Sequence, residues 1–153
     1  MDTCLATLAD YAEISALLKE CNAEFDLVPD HLEHTLLLRS GRNLVGMAHM
    51  RFLESCAVGL CLVIRPGFRR MGLGKQLGQA MLEHCRQHRV PRVFVYSDVA
   101  PFYYRTLGYK PFDLDKVPPA LLELLQELRG DTPLQPGHLL EFQAKVLDYH
   151  AVS

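Results

Sequence analysis

The chain has 153 residues, 49% hydrophobic and 22% charged, with a formal net charge of −2. That composition is ordinary for a globular chain with one sizeable core. It excludes wholesale nucleic-acid binding, which needs a broadly basic surface. No apolar run approaches the roughly 20 residues of a membrane helix, so neither nucleic acid nor membrane is expected as a partner.

The opening MDTCLATLADYAE lacks a basic segment followed by an apolar stretch, so no signal peptide is expected. Within it, Cys4–Leu8 reads as a short edge strand. Asp10-Tyr11-Ala12-Glu13 has capping-box spacing. Tyr11, Ile14, Leu17, Leu18 and Cys21 then share one helical face, which predicts a helix over about Asp10–Cys21. Asn22–Val28 is a loop. Pro29 suits a first helical turn, with His31, Leu32, Thr35 and Leu36 continuing a short helix. Ser40-Gly41-Arg42-Asn43 reads as a hairpin turn between strands at Leu36–Arg39 and Leu44–Leu53. Ala57–Ile64, AVGLCLVI, is an uncharged strand expected to be buried on both faces. Leu73, Leu77, Met81 and Cys85 recur every four residues and predict a helix over about Leu73–His88. Val93–Tyr96 is a compact strand, and a strand–helix–strand unit of this length implies a parallel pair. Pro101–Leu107 is a short helix ended by Gly108, and Tyr109–Leu114 returns as a strand. Pro118-Pro119 opens a helix with Leu121, Leu124, Leu125 and Leu128 inward, closed by Gly130. Leu139–Leu147 reads as the last strand. Five cysteines without paired short spacing make no disulfide framework and fit a reduced, cytoplasmic setting. With no repeat and no low-complexity tract, one domain over 1–153 is expected.

The chemistry is signalled between Ile64 and the following helix. A strand that enters a helix through a glycine-containing basic turn exposes backbone N–H groups beside a positive helix end, which suits a phosphate. Arg65-Pro66-Gly67-Phe68-Arg69-Arg70-Met71-Gly72-Leu73-Gly74-Lys75 is such a turn. It is not a P-loop, because Leu73 stands where G-x-x-x-x-G-K-[ST] needs lysine. It is not a dinucleotide fingerprint, because Leu77 occupies the third glycine of G-x-G-x-x-G.

Arg69-Arg70-Met71-Gly72-Leu73-Gly74, read as R-x-x-G-x-G, resembles the pyrophosphate loop of the GCN5-related N-acetyltransferase (GNAT) superfamily. A second segment, Ser97 to Tyr109, resembles that family's N-x-x-A-x-x-F-Y-x-x-L-G-F stretch. Ala100, Tyr104, Leu107 and Gly108 match it; Ser97 replaces Asn, and Tyr103 and Tyr109 replace Phe. The resemblance implies an α/β (α+β) fold, a single GNAT-like domain. Its sheet would be mixed and mostly antiparallel, with a central parallel strand pair and helices on both faces. The helix-bearing stretch at about 115–138 departs from the family's shorter connection. It reads either as a helix covering sheet edge or as a lid over the acceptor site.

The resemblance also implies acetyl transfer from acetyl-CoA, a co-substrate, to a primary amine, with no metal. Backbone N–H groups from Arg70, Met71, Gly72, Leu73, Gly74 and Lys75 would face the pyrophosphate, with charge from Arg69, Arg70 and Lys75. The pantetheine arm would bond to backbone at Leu62, Val63 and Ile64. Ser97 sits where the family often has Asn, but a hydroxyl is shorter and cannot donate twice. A main-chain N–H near Leu62, at a bulge, would stabilise the thioester oxygen. Tyr104 would be the general acid, while Tyr103 reads as core. The base is open: the central strand has no acidic residue, and Glu54, Asp98, His49 or a water relay are candidates.

Freeing a lysine amine at pH 7 from a pKa of ~10.4 costs about 4.6 kcal/mol, against about 1.2 for an α-amine near ~7.9. A site with a weak base therefore favours a low-pKa amine, such as a peptide N-terminus, among small-molecule or peptide acceptors. Glu24, Asp26, Asp30 and Glu33, with Asp113, Asp115, Glu123 and Glu127, would form an acidic rim or a plain solvated face. The alternative reading is a non-catalytic acyl-CoA-binding sensor or partner module, argued by the missing base. A monomer or homodimer is expected. His84-x-x-x-His88 has metal-ligand spacing but no evident third ligand, and Cys61 reads as a small buried hydrophobe.

Overall fold

The computed structural model describes residues 1–143. A seven-stranded sheet has the order β1-β2-β3-β4-β5-β7-β6. Its strands are β1 (Asp2–Leu5), β2 (Thr35–Ser40), β3 (Asn43–Phe52), β4 (Ala57–Ile64), β5 (Val93–Tyr96), β6 (Tyr109–Pro111) and β7 (Leu139–Phe142). Every pairing is antiparallel except β4 with β5. The helices are α1 (Tyr11–Glu20), α2 (Leu73–Gln87), α3 (Pro101–Arg105) and α4 (Pro119–Arg129). This is the mixed sheet with a central parallel pair that the sequence leads one to expect.

Helix α2 covers one face. Its buried stripe, Leu73, Leu77, Met81, Leu82 and Cys85, packs with Val45, Ala48, Ala57, Val93 and Val95. Leu77 and Met81 are fully enclosed, and each such side chain contributes about 1.5–3 kcal/mol. Gly59 lets the helix come this close, since a Cβ there would lie 2.8 Å from Met81 Cε. Helices α1 and α4 cover the opposite face. Ile14, Leu17 and Leu18 pack with Leu37, Met47 and Val63, and Leu121, Leu124 and Leu125 with Val58, Phe94 and Leu139.

Several local expectations need correction. The capping box joins Thr7 to Asp10, one turn earlier than the spacing at Asp10–Glu13 implied. Asp10 and Glu13 instead both reach Arg39 of β2, at 3.0 and 2.9 Å. The short helix after Pro29 stops at His31, because Thr35 and Leu36 are claimed by β2, where they pair with His49 and Ala48. Strand β1 lies at Asp2–Leu5 rather than Cys4–Leu8. The return strand at Tyr109 ends at Pro111, which cannot donate to a ladder. Leu128 is exposed, beyond the inward stripe of α4. The part of the last strand expected after Gln143 lies outside the described residues.

Strand β4 is only half buried as expected. Ala57, Val58 and Gly59 are enclosed, but Leu60 to Ile64 are intermediate. The cause is topological. β4 pairs with β5 only at Ala57–Val93, Val58–Phe94 and Gly59–Val95. Beyond Gly59 the two strands part, and among the described residues nothing takes the ladder place beside Leu60–Ile64 on that side.

Candidate active site

The parting of β4 and β5 is the centre of the site. At the same point the register between β3 and β4 slips. His49 faces Cys61, but Met50 faces Gly59, so Leu60 is the extra residue of a β-bulge. The bulge falls two positions before the expected Leu62. Its effect is visible in the packing. Val58 and Leu60 contact the α4 cluster, and Cys61 and Val63 contact the α1 cluster on the same face. Leu62 and Ile64 turn to the α2 side. A bulge breaks the regular ladder and leaves main-chain polar groups of the extra residue without a regular partner.

At the far end of β4 the chain makes the basic turn. Arg70 has φ +65° and Gly72 φ +76°, with Met71 between them. Left-handed residues alternating with ordinary ones point successive N–H groups into one concavity, an anion nest. Gly72 is the N-cap of α2, so the concavity opens at the positive end of a fifteen-residue helix. Arg69 is exposed, and its Nε donates to the Ile64 carbonyl at 2.9 Å, which pins the turn to the end of β4. The side chains of Arg70 and Lys75 are exposed.

Tyr104 comes from α3 and is 8% exposed. Its ring packs edge-on against Tyr103 and Tyr109. Burial, then the nearby Cys61 thiol, raise its phenol above the ordinary value, so it is protonated at neutral pH. Tyr104 belongs to the cluster on the α2 side against which Leu62 and Ile64 of β4 pack. Burial likewise pushes the Cys61 thiol up to about 12, so it carries no thiolate. Tyr103 is not core filler. It is partly exposed, and a Cβ at Gly74 would lie 2.5 Å from its hydroxyl oxygen. A side chain at Gly74 would push that hydroxyl, and the partly exposed ring behind it, away from the start of α2. Nothing in the spacing of the two tyrosines signals this contact.

The candidate bases are spread around β4, and one of them, His49, stands across the ladder from Cys61. Glu54 lies in the β3–β4 turn, beyond the start of β4 and more than roughly 16 Å of strand from Leu62. Asp98 lies at the correct end, after β5, but both its oxygens are engaged. Arg129 of α4 donates to Oδ2, and His138 Nδ1 lies 2.8 Å from Oδ1. Burial pushes the Asp98 carboxyl up, but these two partners outweigh it and hold it below the usual range. Ser97 Oγ accepts from the Ala100 N–H at 3.1 Å, which leaves its hydroxyl hydrogen to donate once. His49 is buried and sits 2.8 Å from Thr35 Oγ1.

A nest at a helix start can hold a diphosphate, and a strand with an open ladder edge can hold a chain of amides. A profile of the acetyltransferase (GNAT) family matches residues 5–109, and the chain belongs to that family. No curated protein matches the sequence. Among solved structures, it is similar to N-acetylglutamate synthase from Neisseria gonorrhoeae, complexed with coenzyme A and N-acetyl-glutamate. The TM-score is 0.79 at 18% identity, over 94% of this chain and 35% of that one. The chain thus spans about a third of that enzyme's length. It is also similar to the PaiA N-acetyltransferase from Thermoplasma acidophilum in complex with coenzyme A. There the TM-score is 0.64 at 13% identity, over 75% of this chain and 92% of that one. The ribosomal-protein-S18-alanine N-acetyltransferase from Escherichia coli gives a TM-score of 0.62 at 14% identity, over 73% and 79%. At these identities the likeness is one of fold. Among the described residues no helix is long and apolar enough to cross a membrane.

Proposed function

We propose that the chain is a single N-acetyltransferase domain over 1–153. It would transfer an acetyl group from acetyl-CoA to a primary amine by direct attack. The observation that carries this is the open edge of β4 from Leu60 to Ile64, with the Arg70–Gly72 nest at one end and the buried Tyr104 phenol in the cluster that takes Leu62 and Ile64. A pantetheine arm is a chain of amides and can take the vacant ladder place beside Leu62, Val63 and Ile64, as an added strand does. N–H groups from Arg70 to Lys75 would hold the diphosphate, with Arg70 and Lys75 adding charge. Acetyl-CoA supplies the activated acyl carbon.

The chain's own groups do the rest. A main-chain N–H at the bulge, between Leu60 and Leu62, is offered to the thioester oxygen. Tyr104 donates its hydrogen to the departing sulfur. A thiol has a pKa of ~8.5, so full transfer from a phenol at ~10 costs about 2 kcal/mol. Burial increases that cost. Tyr104 therefore acts mainly by a hydrogen bond that spreads the sulfur's charge, and the proton lost by the amine restores the balance. Among the described residues Asp98 is engaged by Arg129 and His138, and Glu54 lies at the other end of β4, which favours a water relay as the base. The weak-base argument again favours a low-pKa amine. In support, the gonococcal N-acetylglutamate synthase is complexed with N-acetyl-glutamate, and the Escherichia coli enzyme is named for an alanine acceptor.

The test is thiol release from acetyl-CoA with a panel of amino acids, peptides, polyamines and aminoglycosides. Tyr104→Phe should lower kcat by about 100-fold, with coenzyme A affinity within about threefold. Tyr103→Phe should do the reverse, weakening coenzyme A binding with little change in kcat. Tight coenzyme A binding without turnover on any amine would instead favour the sensor reading, which the engaged state of Asp98 supports.

A further inference from the structure

Three imidazoles meet at the C-terminal end of α2, on the far side of the molecule from the turn. His84 and His88 lie one helical turn apart on α2, and His34 comes from the segment leading into β2. One ring nitrogen from each lies within 4.8 Å of the others. His84 is ten residues along α2 from Gly74, roughly 15 Å of helix, so this cluster is separate from the acyl-transfer site.

We propose that His34, His84 and His88 form a binding site for one divalent transition-metal ion of the imidazole-seeking class, with Zn²⁺ as the reference ion. His34 Nδ1 and His84 Nε2 already stand 3.0 Å apart. Ligands of a tetrahedral ion with Zn–N of ~2.0–2.1 Å stand roughly 3.3 Å from one another. The closest pair is thus already at ligand spacing, and the widest needs only side-chain rotation. The third ring is prepared from its other nitrogen. His88 Nδ1 donates to the His84 carbonyl at 2.9 Å, which fixes the tautomer and leaves Nε2 as a lone pair. His34 is held flat against Phe52, with centroids 3.6 Å apart and planes at 10°. Its Nε2 lies 3.8 Å from Glu33 Oε1. That is beyond hydrogen-bond reach, so Glu33 is only a nearby charge; with the ring hydrogen on Nε2, Nδ1 can face the ion.

Three protein nitrogens leave a fourth position for water or another ligand. It would open towards a groove lined by Asp30, His31, Glu33, His34, Arg51 and Phe52. Burial keeps His34 and His84 below the ordinary imidazole range, so each is neutral with one N–H, and the hydrogen now shared between His34 Nδ1 and His84 Nε2 must move to an outer ring nitrogen when the ion binds. The ion would tie the segment ahead of β2 to the last turn of α2. This site takes no part in the proposed acyl transfer and does not depend on it.

The test uses full-length protein free of affinity histidines, stripped with a chelator and titrated with ZnCl₂ alone. Expected are one Zn²⁺ per chain, a dissociation constant in the micromolar range or tighter, and a rise in thermal midpoint. His88→Gln, at an exposed position, should weaken binding by at least about tenfold with an unchanged metal-free circular dichroism spectrum. His34→Gln should do the same. Substituted Co²⁺ should give a visible spectrum without a sulfur charge-transfer band. Absence of saturable Zn²⁺ binding would overturn the proposal. So would undiminished binding in both variants, or a sulfur band, either of which would assign the metal to the cysteines.

Discussion

His49 shows how much a single buried side chain can set. It is 2% exposed, and burial, then the charge of Arg51, lower its pKa to about 4. The unfolded chain takes up a proton near ~6.5, whereas the folded one resists until about 4. The stability that the neutral ring preserves is therefore intact above the unfolded value and lost as pH falls through the interval. Between pH 7 and 5 this one group removes about 2 kcal/mol. Urea unfolding at the two pH values should show that fall, and His49→Gln should make it shallower by a similar amount. Residues of this kind are where sequence reading reached least. Tyr104 was legible because it stands at a fixed place in a motif. The third imidazole at His34 was not, since it is 50 residues from His84 and only the sheet brings them together. The engagement of Asp98 by Arg129 and His138 was hidden for the same reason.

At the scale of elements, periodicity carried well where one face is buried. Strand β4 and helix α2 appear almost residue for residue, because apolar runs and four-residue repeats report burial directly. Short polar-flanked pieces were decided by pairing instead. Thr35 and Leu36 fit a helical turn on their own, but pairing with β3 enlists them in a strand. The turn before α2 lies between these cases. Its glycines were visible, whereas the left-handed Arg70 was not. Gly72→Ala should test that turn. An L side chain at φ +76° costs about 1–2 kcal/mol, and nothing lies within 4 Å to clash. The expected result is a lower urea midpoint together with weaker coenzyme A binding, measured by calorimetry. A loss of stability with coenzyme A affinity unchanged would mean that the nest is not the anion site. α4 was seen as a departure from the family, but its role was not. It packs over Val58, Phe94 and Leu139, and Arg129 latches it to Asp98 at the end of β5.

Across the whole molecule, the sheet is continuous through seven strands but joined at its middle by only three β4–β5 pairs. On one face α1 covers one half and α4 the other, while α2 spans both halves on the opposite face. A ligand that bridges the two halves should stabilise all of it. Coenzyme A at a hundred times its dissociation constant adds about 2.7 kcal/mol, seen as a higher thermal midpoint. Hydrogen exchange should slow first at residues 60–64 and 70–75. Protection confined to other regions would place the ligand elsewhere.

The incomplete seam has a consequence for the life of the chain. With a coenzyme A thioester in that place, as proposed, the chain would be sturdiest when the thioester is plentiful and most open to proteases when it is scarce. Its abundance would then follow the supply of the thioester, with no separate regulator required.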